Sequence, residues 1–449
     1  MTKRIAIVGG GITGLAAAWE LSRKPDTAIV TIFESDRVGG KLQSSPFAGM
    51  DHIDEGADAF LARVPWAKQL CNELGIDDLV SPSTSRAYIW QNGRLHRIPD
   101  GLVLGVPAGL MGVAKSRLLS PFGSIRAGYD LIKGATPPDH DSLGRLIRDR
   151  FGDQVLERLV DPLVGSINAG DSDHLSLRAS TPQIAEPASG SRSLLLALRR
   201  NRKAVPADGP VFLTPRNGLA SLAATLADRL HRSASTTFSN QRVIEITRDG
   251  NAWRVNDEPF DAVILATPAG TTSRLVSRLS PQASEALASI PYAGVLMVAL
   301  HVSKPVGPLG SGYLVPKPVQ RHVTAVSLAT YKWAHWRPPA GGGVLRVSLG
   351  RYGNQIPMDF DDEQAFHTAV DEVSGHLGQP VLPRGYRVTR WPAAFPQYLP
   401  HHLDRVDAIE KALAADCPGL VVAGAAYRGV GVPACIRQGR EAARAVSRA

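Results

Sequence analysis

Residues 5–8 form a short apolar run that ends in three glycines, and residues 12–21 continue as an Ala- and Leu-rich stretch. That order predicts a strand, a tight turn and a buried helix. A second apolar run at 28–33 predicts another strand, and 65–74 a helix. The segment 87–98 predicts a hairpin turning at Asn92-Gly93. From 101 to about 203 the texture changes: Leu143, Leu146, Ile147, Val155, Leu156, Leu159, Val160, Leu163 and Val164 recur at helical spacing, with Asp141 or Ser142 placed to cap. A helix at 217–231 is followed by expected strands at 241–247, 252–255 and 261–268, the last apolar enough to be buried in a parallel sheet. Runs at 294–302, 323–328 and 344–349, with a helix at 362–377, predict an antiparallel sheet covered on one face. Residues 419–446 repeat the opening order of strand, glycine turn and helix.

The glycines carry the first chemistry. Gly9, Gly11 and Gly14, with Gly10, Ile12 and Thr13 between them, fill G-x-G-x-x-G between a strand and a helix. A pyrophosphate belongs at such a helix N-terminus, where unpaired N–H groups and the helix dipole face the anion. Glu34 ends the second strand twenty positions after Gly14, where a ribose-binding carboxylate is expected, with Ser35 beside it. Gly39-Gly40-Lys41 extends this site, and Gly56-Ala57-Asp58-Ala59 is a small-residue turn able to present backbone N–H groups. A nicotinamide dehydrogenase keeps its nucleotide fold continuous. Here pieces of one fold lie near the start, middle and end of the chain, which favours FAD.

Composition narrows the class. The chain has 449 residues, 44% of them hydrophobic, and a formal charge of +9. Its cations are interleaved with acids and with no basic-aromatic pattern, so nucleic acid is not an expected partner. Arg192, Arg199, Arg200, Arg202 and Lys203 form an acid-free cluster suited to an acidic substrate or an anionic lipid surface. The three cysteines are far apart and form no C-x-x-C. With the first strand starting at the N-terminus, the expected location is the cytoplasm. The uncharged stretch 101–114 is too short to span a bilayer, leaving at most peripheral membrane contact.

The whole chain resembles the flavin amine oxidase superfamily and, within it, the oxygen-dependent porphyrinogen oxidases of haem synthesis, closest to the Gram-positive coproporphyrinogen III oxidase type. The resemblance rests on 9–18, Glu34 through Lys41, 56–61, Asp161-Pro-Leu, Ala169-Gly-Asp171 with Leu175-Ser-Leu177, Arg390-Trp391 and 424–439. It implies an α/β fold. An FAD-binding Rossmann-like domain would be assembled from 1–60, 206–272 and 413–449, an antiparallel-sheet substrate domain from 61–100 and 273–412, and a helical insertion from 101–205. It also implies FAD contacts at Gly9 to Gly14, Glu34, Ser35, Lys41, Gly56 to Ala59, Val243, Trp391, Val430, Gly431 and Val432. Where many members of the superfamily carry Gly-Asp, Gly424 is followed by Ala425, so no acid contact is expected there.

The implied reaction is oxidation of coproporphyrinogen III to coproporphyrin III with release of hydrogen peroxide. The implied partners are the porphyrinogen, molecular oxygen and other haem-pathway enzymes at handover. Neither a metal nor an obligatory catalytic acid or base is implied. Protoporphyrinogen IX oxidation, or an amine oxidase or desaturase activity, is the alternative, and a non-catalytic FAD scaffold the third reading. Arg63, Arg86, Arg192 and Arg428 are candidates for propionates, each weighed against plain surface charge. Trp333, His335 and Trp336 are candidates for the macrocycle pocket, weighed against core packing. His401-His402 lacks partners at ligand spacing, Asp361 to Glu363 suit a helix start, and Cys435 is expected to be a packed, inert thiol.

Overall fold

The computed structural model describes residues 2–23, 28–134, 140–204 and 209–448; the 205/206 boundary of the insertion lies outside them. Five parallel strands form the first layer, in the order Thr236–Ser239, Ala28–Phe33, Lys3–Val8, Ala262–Leu265, Leu420–Val422. Alternation along the strands explains why both faces are covered. Ile5 and Ile7 pack with Ile264 against the helices Ile12–Ser22, Ala220–His231 and Val432–Arg448. Ala6, Val8, Val263 and Leu265 face the helices Ala269–Val276, Pro281–Ala288 and His402–Asp416 and a three-stranded meander.

That meander, Ile246–Asp249, Ala252–Val255 and Glu258–Phe260, differs from expectation. Residues 241–245 are not strand, and Glu258–Phe260 was not anticipated.

The second layer is a seven-stranded sheet in the order Pro383–Pro396, Tyr292–Val302, Gly343–Leu349, Val323–Ser327, Gly312–Leu314, Ala87–Gln91, Arg94–Arg97. All its pairings are antiparallel except that of Gly312–Leu314 with Ala87–Gln91. Helix Asp362–Leu377 covers one face through Ala365, Ala369 and Val373. Its start is fixed by a capping box: Gln364 N–H donates to Asp361 Oδ1 at 2.7 Å, and Asp361 N–H to Gln364 Oε1 at 3.1 Å. The strand Pro383–Pro396 is the longest strand that sequence periodicity missed, and the helix His402–Asp416 was missed as well. The strand carries three prolines and is tolerated because it lies at the sheet's edge.

The insertion packs around Leu146, Ile147, Leu156, Leu159, Val160 and Val164. Ser142 caps its helix Leu143–Phe151, accepting from Arg145 N–H at 3.3 Å. The periodic run at 156–165 is a π-helix, with Pro162 inside it. Wide turns of this kind recur at functional sites.

Candidate functional site

A cavity of about 810 Å³ lies where the three parts meet. Its floor is built just beyond the C-terminal ends of four parallel strands: Gly9 and Gly11, Glu34 and Ser35, Ala266 and Thr267, and Gly424 and Ala425. Open α/β sheets bind ligands in this crevice. Tyr292, Val295, Met297, Trp391 and Phe395 of the antiparallel sheet form the opposite wall, and Gly165, Ser166 and Ala169 of the insertion close the end.

The glycine turn is held by backbone bonds. Gly9 N–H donates to Phe33 C=O at 2.9 Å, and Gly39 N–H to Gly10 C=O at 2.8 Å. Gly9 has φ +106°, a conformation that favours glycine. A side chain at Gly14 would collide with the Gly9 carbonyl, and one at Gly439 with the Thr13 carbonyl, so these two glycines serve close packing. A Cβ at Gly11 meets no protein atom within 4 Å, and Gly11 lines the cavity. Its bare backbone at a helix N-terminus therefore forms a cradle that fits a pyrophosphate.

Glu34 Oε2 accepts from Gly10 N–H at 2.9 Å and Oε1 from Asp36 N–H at 3.1 Å, which aligns the carboxylate at the cavity edge. Lys41 reaches across to the antiparallel sheet, donating to the carbonyls of Ala393 and Ala394 at 2.6 Å each. Burial lowers its pKa to about 8, partly offset by the Cys435 thiol nearby. Cys435 also lines the cavity, and burial raises its pKa to about 11. The Tyr292 hydroxyl accepts from Ala269 N–H at 2.9 Å, and burial raises its pKa, so it stays a neutral phenol.

Of the residues singled out in the sequence, Gly9, Gly11, Ile12, Thr13, Glu34, Ser35, Lys41, Gly56, Ala57, Val243, Trp391, Val430 and Val432 line the cavity. Gly10, Gly14, Asp58, Ala59 and Gly431 lie off its surface. Asp58 is occupied elsewhere. Burial opposes its ionisation, but Lys332, Arg346 and the Trp333 indole N–H outweigh this and hold it at about 2. Trp333 and Trp336 are buried in a small core cluster with Ile53, Ala329 and Val344, and neither they nor His335 line the cavity. His402 stacks on Tyr398, and no metal-ligand cluster occurs among the described residues.

Arg63, Arg86, Arg192 and Arg428 are likewise absent from the cavity wall. Arg428 pairs with Asp407 and Glu410, and Arg192 offers its carbonyl to Arg150. The side chain of Lys203 lies outside the described residues. Among the described residues, the cations on the wall are Lys41, Arg242, Arg274 and Arg351. The last three carry no local motif, so only the packing of the parts reveals them.

Comparison with known proteins agrees with this geometry. The flavin containing amine oxidoreductase family matches residues 12–447. A coproporphyrinogen III oxidase of Bacillus subtilis is 32% identical over 98% of this chain and 97% of its own length. That of Mycobacterium tuberculosis is 36% identical, over 97% and 96% respectively. A solved Exiguobacterium structure provisionally assigned as a protoporphyrinogen oxidase superposes with a TM-score of 0.87 at 28% identity, over 100% of this chain and 99% of that one. The chain belongs to the flavin containing amine oxidoreductase family, with FAD as its cofactor and bacterial coproporphyrinogen III oxidases among its relatives.

Proposed function

We propose that this protein oxidises coproporphyrinogen III to coproporphyrin III, with dioxygen as acceptor and hydrogen peroxide as co-product. The observation that carries the reading is the single cavity running from the Gly11 cradle to an apolar wall on the antiparallel sheet, in a chain whose full-length relatives bear that name. Gly9, Gly11, Ile12 and Thr13 would hold the pyrophosphate, Glu34 and Ser35 the ribose, and Lys41, Gly56, Ala57, Val243, Trp391, Val430 and Val432 the remainder of FAD. Bound there, FAD supplies a two-electron acceptor for a carbon-bound hydride.

The chain's own part is placement. Val295, Met297 and Phe395 make the wall apolar, which excludes water and orients a flat macrocycle. Tyr292 and Cys435 stay protonated, and Glu34 is tied to backbone N–H groups, so none of these three is poised as a base. A hydride transfer needs none.

The name borne by the Exiguobacterium protein favours protoporphyrinogen IX as a second reading. Anaerobic mixing separates the two. Faster loss of the flavin's visible absorbance with coproporphyrinogen III, and a higher kcat/KM for it under air, is expected. A ratio favouring protoporphyrinogen IX rejects the substrate, and no bleaching by either rejects the activity.

The proposed setting is the cytoplasm, with at most peripheral membrane contact and handover of product to other haem-pathway enzymes. No helix among the described residues is long and apolar enough to cross a membrane. Met111, Phe122, Ile125 and Ile132, all largely exposed on the insertion, support surface contact. Co-sedimentation with anionic vesicles at low salt, lost at high salt, is the expected behaviour; recovery in washed membranes at high salt contradicts it.

A further inference from the structure

The end of the cavity next to the insertion is lined by Gly165, Ser166 and Ala169. The insertion's three side chains are too small to set the space available to a ligand, so on this side the backbone sets it, together with Arg351, which lines the cavity and anchors that backbone. The anchor is visible. Arg351, at the end of the strand Gly343–Leu349 and its turn, donates to Asp161 of the π-helix through Nη1 to Oδ2 at 2.9 Å and Nη2 to Oδ1 at 2.7 Å. The same Nη2 donates to the carbonyl of Gly170. Both side chains are almost fully buried, at 7% and 4% exposure. Asp161 Oδ1 also accepts from Ser172 N–H at 3.1 Å.

The wall segment is tethered twice more to the sheet: Tyr352 N–H donates to Ala169 C=O at 2.7 Å, and the Gln397 amide to Asn168 C=O at 3.0 Å. Gly165 sits directly on the ion pair, and a Cβ there would lie 2.8 Å from both Arg351 Nη2 and Asp161 Oδ1. Ala169 itself is held at φ +43°, a backbone conformation unusual for alanine.

We infer that Arg351 and Asp161 are positioning residues that fix the width of the macrocycle end of the cavity, and so determine which porphyrinogens fit. This rests on the porphyrinogen reading above. A guanidinium fork spans two anchor points with rigid geometry, and a lysine at 351 keeps the charge but cannot hold Asp161 and Gly170 together. The wall can then shift, while the Gly9 to Thr13 turn, held by its own backbone bonds, is untouched.

Three variants test this: Arg351→Lys, the neutral pair Arg351→Gln with Asp161→Asn, and Gln397→Leu, which cuts a second tether and leaves the ion pair intact. Each is assayed as purified holoenzyme with coproporphyrinogen III and with the bulkier, eight-carboxylate uroporphyrinogen III. The expected result is a rise in KM for coproporphyrinogen of about tenfold in Arg351→Lys, with kcat changed much less. The relative kcat/KM for uroporphyrinogen should rise, and the FAD content and flavin absorption should match the parent. Gln397→Leu should move the same ratio in the same direction by less.

A fall in Tm with an unchanged substrate ratio and unchanged KM in the variants that fold overturns the inference, since a merely structural pair predicts that result. If neither Arg351 variant folds, Gln397→Leu decides it by the same ratio. Failure of the parent protein to oxidise either porphyrinogen is a different outcome, and it refutes the functional reading instead.

Discussion

Replacing Gly11 by valine separates the ligand face of the glycine turn from its packing face. Gly11 is the N-cap of the helix Ile12–Ser22, at φ −72° and ψ 176°, extended backbone that a β-branched residue adopts without strain. Its Cβ meets no protein atom within 4 Å. The folding cost is therefore that of a poor N-cap, about 1 kcal/mol. In a chain of this size about 1 kcal/mol moves Tm by about 1 °C.

FAD at about a hundred times its Kd should add about 2.7 kcal/mol to the parent, hence about 3 °C, and nothing to the variant. The assay is far-UV circular dichroism melting with and without added FAD, alongside the flavin-to-protein absorbance ratio after gel filtration. Gly14→Ala is the contrast: its Cβ collides with the Gly9 carbonyl, so it should lower the melting temperature of the apoprotein itself. Gly11→Val retaining stoichiometric flavin, with the parent's FAD-dependent shift, would refute the placement of the pyrophosphate.

Two further results are expected. Burial keeps the Cys435 thiol protonated, with its pKa raised to about 11, so acid precipitation should release all the flavin into a yellow supernatant and iodoacetamide should not label Cys435 in the native protein at pH 8; a yellow pellet or stoichiometric labelling contradicts this. Asp54 is fully buried, and although Leu219 N–H donates to its carboxyl, burial raises its pKa from 3.8 to about 7. The folded state thus holds a proton that the unfolded chain releases between about pH 4 and pH 7, and stability should fall as pH rises through that window, on the order of 1 kcal/mol per pH unit. Asp54→Asn should flatten the Tm profile between about pH 4 and pH 7, and an unchanged slope would count against the raised pKa.

The nucleotide turn was legible because its information is local: strand, glycines, helix and Glu34 lie within 34 residues, and Gly9 and Gly14 have steric reasons to be there while Gly11 leaves the cradle open. The helix Asp362–Leu377 was legible to the residue because its capping box is written in four consecutive positions. The strand Pro383–Pro396 was not, since proline argues against a strand unless its position at a sheet edge is already known. Of the cavity cations, Lys41 was singled out, but Arg242, Arg274 and Arg351 were missed for a similar reason. Nothing local distinguishes Arg351 from Arg63 or Arg86. Only the docking of the π-helix on the antiparallel sheet buries the first and leaves the others off the wall. Trp333 and Trp336 show the converse, an aromatic cluster whose packing role is fixed by Ile53 and Val344 from distant parts of the chain.

The order of strands in the parallel sheet also sets a timetable for synthesis. Lys3–Val8 is made long before its neighbour on one side, Ala262–Leu265, and the next strand out is Leu420–Val422. The helix that seals the turn through Gly439 against Thr13 comes later still. A nascent chain therefore carries its glycine loop before the opposite wall exists, and gains the whole cavity only when residues 420–448 dock. Closing loops of that length is entropically costly and slow. Completion of the nucleotide site thus waits for residues 420–448 rather than for the glycine loop.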